Sequence, residues 1–488
     1  MTAACSLVWF RQDLRLGDNP ALTAAVKRGA VVPVFIWDPE GEGQWRPGGA
    51  SRWWLHQSLA ALESALRERG SRLIIRCGST LAVLQELLHE TGASAVFWNR
   101  RYEPAVMARD TGVKEALKGR GYWVESFNGA LLFEPWTVQN KAGKPFQVFT
   151  PFWRHCLAQP QSTPPRPLPT PKRLLSPAQW PSGEVLDLAP RLPWANGFSP
   201  LWCPGELGAT RAVERFCTDG SVDYSERRNR PDLAGTSRLS PYLHWGEISP
   251  RQIFERLAVK AVDDPSWREQ RFVTELGWRE FSHHLLYHFP ATPIAPLRPE
   301  FSRFSWRTDA AQLRAWQQGR TGYPMVDAGM RELWTTGWMH NRVRMIVASF
   351  LVKHLRLPWQ AGASWFWDTL VDADLAQNTM GWQWSAGCGA DAAPYFRIFN
   401  PITQGQKFDP AGTYIRRWIP ELSSVPLEYL WAPWTAPAQE LVRAGVVLGR
   451  TYPRPIVDHA EARIAALKAF QELRSLPKLL DASRAVSS

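Results

Sequence analysis

Across the first 130 residues, short apolar runs alternate with amphipathic segments, and few architectures tolerate that order. LVWF (7–10), VVPVFIW (31–37), RLIIRC (72–77), SAVFW (94–98) and YWVESF (122–127) read as strands buried on both faces. SRWWLHQSLAALESALRERG (51–70), closed by Gly70, and STLAVLQELLHETG (79–92), capped by Ser79, read as helices between them. Neighbouring parallel strands need a crossover, and helices of this length supply it. The stretch therefore predicts a Rossmann-like α/β domain, a parallel sheet covered by helices on both faces.

The alternation stops near residue 131. QPQSTPPRPLPTP (159–171) is too rich in proline to pack and reads as a linker that wraps. Beyond it the periodicity is helical, with Ser249-Pro250 a good cap and first-turn pair. The expected organisation is an α/β domain over 1–130, a linker over 131–205, an all-α domain over 206–475 and a short tail over 476–488.

A net charge of +12 and a pI near 9.6 favour an anionic partner such as nucleic acid. Six cysteines include no C-x-x-C pair, which points to a reduced, cytoplasmic setting. No run reaches the roughly 18 apolar residues of a membrane span. A basic surface with no coiled-coil pattern favours a monomer. There is no Walker loop, HExxH or GxSxG, and GCGADA (387–392) fits a dinucleotide fingerprint without the βαβ setting that gives it meaning. No His or further carboxylate joins Asp372 and Asp374 into a metal-ligand set, so none is expected.

Four segments of the C-terminal half gather polar residues and indoles. In YSERRNRPDLAGTSRLSPYLHWGEISP (224–250), Thr236, Ser237 and Ser240 flank Arg238, a set suited to phosphate oxygens at a helix start. In EQRFVTELGWREFSHHLLYHFP (269–290), Glu275, Trp278 and Ser282 share a helical face, with Arg279 at i+4 of Glu275. TGWMHNRVRMIVASF (336–350), read as one helix, has two faces. Val343, Ile346, Val347, Phe350 and Leu351 form a core stripe, whereas Trp338, Asn341 and Met345, flanked by Arg342 and Arg344, are unlike a solvated face. In FWDTLVDADLAQNTMGWQWSAGCGADAAPYFRIFNPITQGQKFD (366–409), Asp372, Asp374 and Asn378 precede Trp382 and Trp384.

NRVRMIVASFLVKHLRLPWQ (341–360) and TGYPMVDAGMREL (321–333) resemble the two sequence signatures of the photolyase/cryptochrome family, and VWFRQDLRLGDNPAL (8–22) resembles its opening. GWQWSAGCGADAAPYFRIFNP (381–401) is similar to the cyclobutane-pyrimidine-dimer photolyases in particular. The resemblance runs from about residue 6 to residue 475. It implies a carbon–carbon lyase of DNA repair that binds FAD in its helical domain. Under blue light an electron would pass from reduced FAD to the dimer, split the cyclobutane ring and return.

The resemblance assigns residues as follows. Tyr224, Thr236, Ser237, Arg238, Leu239 and Ser240 would hold the FAD phosphates and their surroundings, Phe272, Arg279, Asn341 and Arg344 would line the pocket, and Asp372 and Asp374 would contact sugar and ring. Asn378 matches the residue opposite flavin N5, where plant cryptochromes carry Asp and animal ones Cys. Glu275, Trp278, Asn341, Arg342, Met345 and Trp384 would line the lesion pocket, with a protonated Glu275 stabilising the dimer radical anion. Arg228, Arg342, Arg397, Gln404 and Lys407 would meet the DNA backbone. Among 27 tryptophans, Trp306, Trp359 and Trp382 match the chain that carries electrons from the surface to flavin.

The family also holds an antenna chromophore in its N-terminal domain. Folate-binding relatives have an Asn-Glu pair after the tyrosine of the segment matching YEPAVMARD (102–110), where this chain has Ala105 and Val106. WAPWTAPAQELVRAGVVLGRTYPRPIVDH (431–459) is similar to plant cryptochromes and the bacterial photolyases nearest them, a group that uses methenyltetrahydrofolate in a different groove. Methenyltetrahydrofolate is therefore expected, with 8-hydroxy-deazaflavin the alternative. A (6-4) photolyase would carry His in the lesion pocket, and Asn341 and Met345 speak against it. Trp278, Met345, Asn378 and the short tail speak against a cryptochrome photoreceptor without repair activity.

Overall fold

The structure, a computed structural model, describes residues 4–159, 166–188, 193–220, 223–260, 265–392 and 396–477. The centre of the proline-rich stretch and the tail from 478 lie outside the described residues. The contacts divide the chain into two units.

The first unit comprises Met1–Ser225, Thr236–Pro290 and Trp367–Ala376. All five strands read from the sequence form: β1 (Ala4–Phe10), β2 (Gly29–Trp37), β3 (Ile74–Cys77), β4 (Ala95–Asn99) and β5 (Trp123–Phe127). They make one sheet in the order β3-β2-β1-β4-β5, every pairing parallel. Leu7 pairs with Val32 on one side and Val96 on the other, so β1 is central, and its run Leu7–Phe10 is buried. The crossovers are α1 (Pro20–Arg28), α2 (Gly49–Arg67), α3 (Thr80–Thr91) and α4 (Pro104–Gly119). Leu84, Leu87 and Leu88 of α3 and Val113 and Leu117 of α4 bury one face together with Leu7, Val34 and Val96. The order reverses between β1 and β4, which opens a crevice beyond their carboxyl ends.

Out of β1 runs Arg11-Gln12-Asp13-Leu14-Arg15, whose charged residues are buried. A buried guanidinium needs partners for its donors. Arg15 finds the carbonyls of Gly246, Asp18 and Gly129 at 2.8, 2.7 and 2.7 Å. The opening motif thereby clamps the sheet's edge to the chain around Gly246. Further helices of this unit include α5 (Phe149–Ala158), α6 (Pro250–Lys260) and α7 (Arg271–His288). Ser249 caps α6 as its sequence suggests, its Oγ accepting from Gln252 N at 3.0 Å.

The second unit, Glu226–Gly235, Ala291–Phe366 and Gln377–Ser488, is helical among its described residues. It holds α8 (Pro324–Thr336) and α9 (Asn341–Ser349), most of α10 (Trp359–Thr369) and α11 (Leu375–Ala386), then α12 (Pro401–Phe408) and α13 (His459–Ser475). The sheet domain and the helical part match the fold class expected from the sequence.

The stretch 336–350 is not one helix. Gly337 takes φ +68° and ends α8, its N–H bonded to Leu333 O, and His340 caps α9 by accepting from Arg342 N at 3.2 Å. Trp338 therefore lies in the connection, buried, and not on a shared helical face with Asn341 and Met345. The left-handed turn that only glycine adopts freely is the reason. The core stripe holds: Val343, Ile346, Val347, Phe350 and Leu351 are each at most 1% exposed.

Candidate functional site

In the first unit Tyr224, Phe216 and Phe272 pack as three mutually contacting rings, the two phenylalanines 4.2 Å apart. The Thr236–Ser240 turn follows. Arg238 takes φ +52°, a conformation that costs a non-glycine residue on the order of 1–3 kcal/mol and marks functional turns. Its guanidinium stands 5.9 Å from the Trp202 ring. Ser237 Oγ accepts from Leu239 N, Leu239 is buried, and Ser240 opens the short helix Ser240–His244. Hydroxyls, turn N–H groups and a guanidinium gathered in a strained turn form a donor set for phosphate oxygens.

Asp372 and Asp374 lie in a short connection pinned by Trp245 Nε1, which donates to Val371 O at 3.2 Å. Asp374 Oδ2 sits 3.7 Å from His244 Nδ1 and 3.5 Å from His283 Nε2. Burial alone would raise this carboxyl, but His283, His244 and Arg279 outweigh it and hold it well below the usual carboxylate range.

Helix α7 corrects one expected pairing. Glu275 pairs backwards with Arg271 at 3.0 Å, and Arg279 instead donates to Ala130 O at 2.8 Å and lies 3.5 Å from Glu280 Oε1. Glu280 is buried, receives the N–H groups of Leu132 and Phe133, and is pushed up to about 7 by its burial. The inward face of the helix decides the partner, and helical spacing on its own does not reveal which face is inward. On the same helix Trp278 stacks on Phe149, centroids 3.7 Å apart and planes at 10°, so one indole face is already covered.

In the second unit Asn378 Nδ2 donates to Ala363 O at 3.0 Å, which orients its carbonyl oxygen as the acceptor. One turn further, a Cβ added at Gly381 would meet nothing within 4 Å, so this wall of α11 is open. Arg344 Nε donates to Met339 O at 2.8 Å, and Asn341 is the first residue of α9. Trp382 is 2% exposed, edge-on to Phe366 at 5.0 Å and Trp316 at 6.1 Å, and it lies against the backbone at Gly362, one turn after Trp359. Trp359 is equally buried, whereas Trp306, packed on Phe304 at 4.5 Å, is half-buried.

Two groups of the expected DNA-facing residues come together in this unit. Trp384 and Arg397 line one small cavity with Ser349, Lys353 and Phe399. Arg342 lies 4.5 Å over the Phe408 ring, donates to Asn229 Oδ1 at 2.7 Å and reaches Met345 Sδ at 3.6 Å. Lys407 approaches the same ring at 5.4 Å, and Arg228 is near enough to add to the burial that lowers the Arg342 pKa. Gln404 is one turn before Phe408 on α12.

Sequence reasoning missed a cleft in the first unit at the carboxyl edge of β1 and β2. It encloses about 590 Å³, mouth included, between Trp9, Trp37, Trp45, Trp367, Arg11, Arg101 and Arg109 among others. Trp9 is 1% exposed with Arg11 and Arg109 at 4.2 and 5.1 Å from its ring, and its Nε1 has no hydrogen-bond partner among the described residues. Arg101 is fixed between Glu42 and Glu103 at 2.7 and 2.8 Å. A second, polar cavity beyond β1 and β4 is lined by Asn99, Arg101, His244, Arg279, His283 and Asp374. The arginines of FRQDLR and YEPAVMARD were the available signal, but their partners come from segments far away in sequence.

Each unit, taken by itself, carries residues that suit a part of FAD: in the first, the donor turn at Arg238 suits a diphosphate; in the second, the oriented Asn378 carbonyl beside the open wall at Gly381 suits a ring N–H. The sequence matches the family model "DNA photolyase" over residues 6–172 and "FAD binding domain of DNA photolyase" over 272–472. It is 49% identical over 473 residues to a deoxyribodipyrimidine photo-lyase of Agrobacterium fabrum, covering 96% of this chain and 98% of that one. Cryptochrome-1 of Arabidopsis thaliana is 43% identical over 495 residues, covering 97% of this chain and 71% of its own. A solved bacterial class III photolyase from Agrobacterium tumefaciens superposes with a TM-score of 0.93 at 48% identity, covering 98% of this chain and 99% of that one. Matched along nearly its whole length by such relatives, the chain belongs to the DNA photolyase and cryptochrome family.

Proposed function

We propose that the protein is a light-dependent deoxyribodipyrimidine photolyase that splits cyclobutane pyrimidine dimers in DNA. Within the family, the observation that carries this choice is Asn378. Its amide is neutral and anchored on Ala363 O, so it offers an acceptor without a charge. A carboxylate there would repel a fully reduced, anionic flavin or hold a proton beside it. Bound and reduced, FAD supplies the light-driven electron that opens the cyclobutane ring and takes it back.

The chain's own residues do the rest. Arg238, Ser240 and the neighbouring N–H groups hold the diphosphate, with Tyr224, Thr236, Ser237, Leu239 and Phe272 shaping the turn. Arg279, Asn341, Arg344, Asp372 and Asp374 orient the remainder of the cofactor. Trp384 and the indole of Trp278 stack on the extruded lesion, each returning about 1–3 kcal/mol of the stacking lost in the duplex. Glu275 and Asn341 hydrogen-bond the pyrimidine edges, and Met345 fits an irregular apolar contour. Arg228, Arg342, Arg397, Gln404 and Lys407 hold the backbone. Trp306, the half-buried member, and then Trp359 and Trp382, both buried, pass an electron inward.

Division into 1–130, 131–205 and 206–475 remains our proposal for the domains, and a cytoplasmic monomer our proposal for the working state. The cleft at β1 and β2 takes the antenna chromophore. Its indoles suit an aromatic heterocycle, and its arginines suit a glutamate tail, which favours methenyltetrahydrofolate over 8-hydroxy-deazaflavin. Purified reduced protein should remove thymine dimers from DNA under blue light and leave them in the dark. No dimer loss with a fully loaded, reduced flavin rejects the reading and promotes a light sensor, in keeping with the plant cryptochrome likeness. The absorption spectrum of the same sample identifies the antenna pigment.

A further inference from the structure

We infer that Lys353 is a positioning residue for damaged DNA: it ties the end of α11, which carries Trp384, to the chain at Phe396-Arg397, so that indole and guanidinium meet one DNA strand in register. The inference rests on the lesion-side reading of Trp384 and Arg397.

Lys353 lies in the wider π turn Phe350–His354 that continues α9, and it is 1% exposed. Such turns recur at functional sites because the extra residue re-aims a side chain. Here it sends the amine to two targets. Nζ donates to Ala386 O at 2.8 Å, a carbonyl the last turn of α11 leaves open, and it stands 3.0 Å from the centroid of Phe396. Phe396 is itself stacked on Phe470, 4.3 Å away with planes at 6°. Just past Ala386 the chain closes tightly: Gly387, at φ +94°, bonds Gln383 O and Trp384 O, and the N–H groups of Cys388 and Gly389 return to Gln383 O. One buried amine thus grips the residue two beyond Trp384 and the residue immediately before Arg397. Lys353, Trp384, Gly387 and Arg397 line one cavity.

The cost of this arrangement argues for a role beyond packing. Among the described residues the amine is given a carbonyl and a ring but no ion pair with a carboxylate, and burial pushes it well below the usual lysine range. A methionine would fill the same length without that penalty.

The test measures Kd for dimer-containing duplex against salt, using flavin-loaded protein. Arg397→Ala should reduce the salt slope by about 0.9, one phosphate contact. Lys353→Met should reproduce that reduction and raise Kd about tenfold, the loss of one charge-assisted contact, with flavin content and photoreduction unchanged. The double variant should be no weaker than Arg397→Ala alone, since both changes remove one contact. Phe396→Leu, which removes the ring but leaves the amine, should give the same slope if Lys353→Met fails to fold. An unaltered slope in both Lys353→Met and Phe396→Leu, or losses that add to Arg397→Ala, overturns the inference. Wild-type protein that does not prefer dimer DNA, or Arg397→Ala with an unchanged slope, overturns the underlying reading instead.

Discussion

Gly362→Ala tests how Trp382 is held. Alanine in a helix interior is ordinarily better than glycine by about 1 kcal/mol, so on α10 the change should stabilise. The structure reverses the sign. An added Cβ would fall 2.0 Å from Trp382 Cη2, where an ordinary carbon contact needs about 3.5 Å or more. The ring must retreat by about 1.5 Å, yet it is 2% exposed and bounded by Phe366 and Trp316. Overpacking of this kind costs about 1–3 kcal/mol, so after the propensity gain a net loss of about 0–2 kcal/mol is expected. Two assays read it: thermal unfolding, and light-driven reduction of oxidised flavin with an external donor. Photoreduction should slow because the indole leaves its seat on α10, whereas repair by pre-reduced protein should persist. A variant more stable than the parent with unaltered photoreduction would refute the claim that Gly362 makes room for this ring.

Trp382→Phe should abolish photoreduction and leave repair by pre-reduced enzyme largely intact; equal loss of both would place Trp382 in the lesion pocket. With Arg228, Arg342, Arg397 and Lys407 on phosphates, log Kd against log salt should have a magnitude near 3.6, about 150-fold between 50 and 200 mM, as a titration at several salts would show. Glu247 gives a pH prediction. Its burial pushes it up to about 8, although Ser58, Gly205 and Trp54 all donate to it. The folded protein keeps this proton to about pH 8 whereas the unfolded chain releases it near 4.5, so the stabilisation is complete below 4.5 and is lost as pH rises to 8. Denaturant unfolding should show a decline of up to about 1.4 kcal/mol per pH unit in that window, and Glu247→Gln should remove it.

Local pattern sufficed where one residue's neighbours in sequence are also its neighbours in space. The strands of the sheet, the cap at Ser249 and the buried stripe Val343–Leu351 were all legible for that reason. Failures came where a backbone conformation or a distant partner intervened. Gly337 broke a helix that periodicity had made continuous, and Glu280 took Arg279 from the partner that helical spacing suggested. Lys353 in an apolar run gave no sign of the carbonyl and ring it would reach, because Ala386 and Phe396 are more than thirty residues on.

Composition and periodicity determined by themselves that this chain makes a parallel sheet and a helical body, since burying apolar faces at periods of two and 3.6 leaves few alternatives. Motif resemblance added which residues would meet flavin and DNA. Only the tertiary structure decided how those residues are held: the face of Trp278 taken by Phe149, the anchoring of Asn378 on Ala363, the indole seated against Gly362 and the arginine-lined cleft around Trp9. Each depends on packing and hydrogen bonds between segments far apart in the chain, and such contacts leave no periodic trace in the sequence.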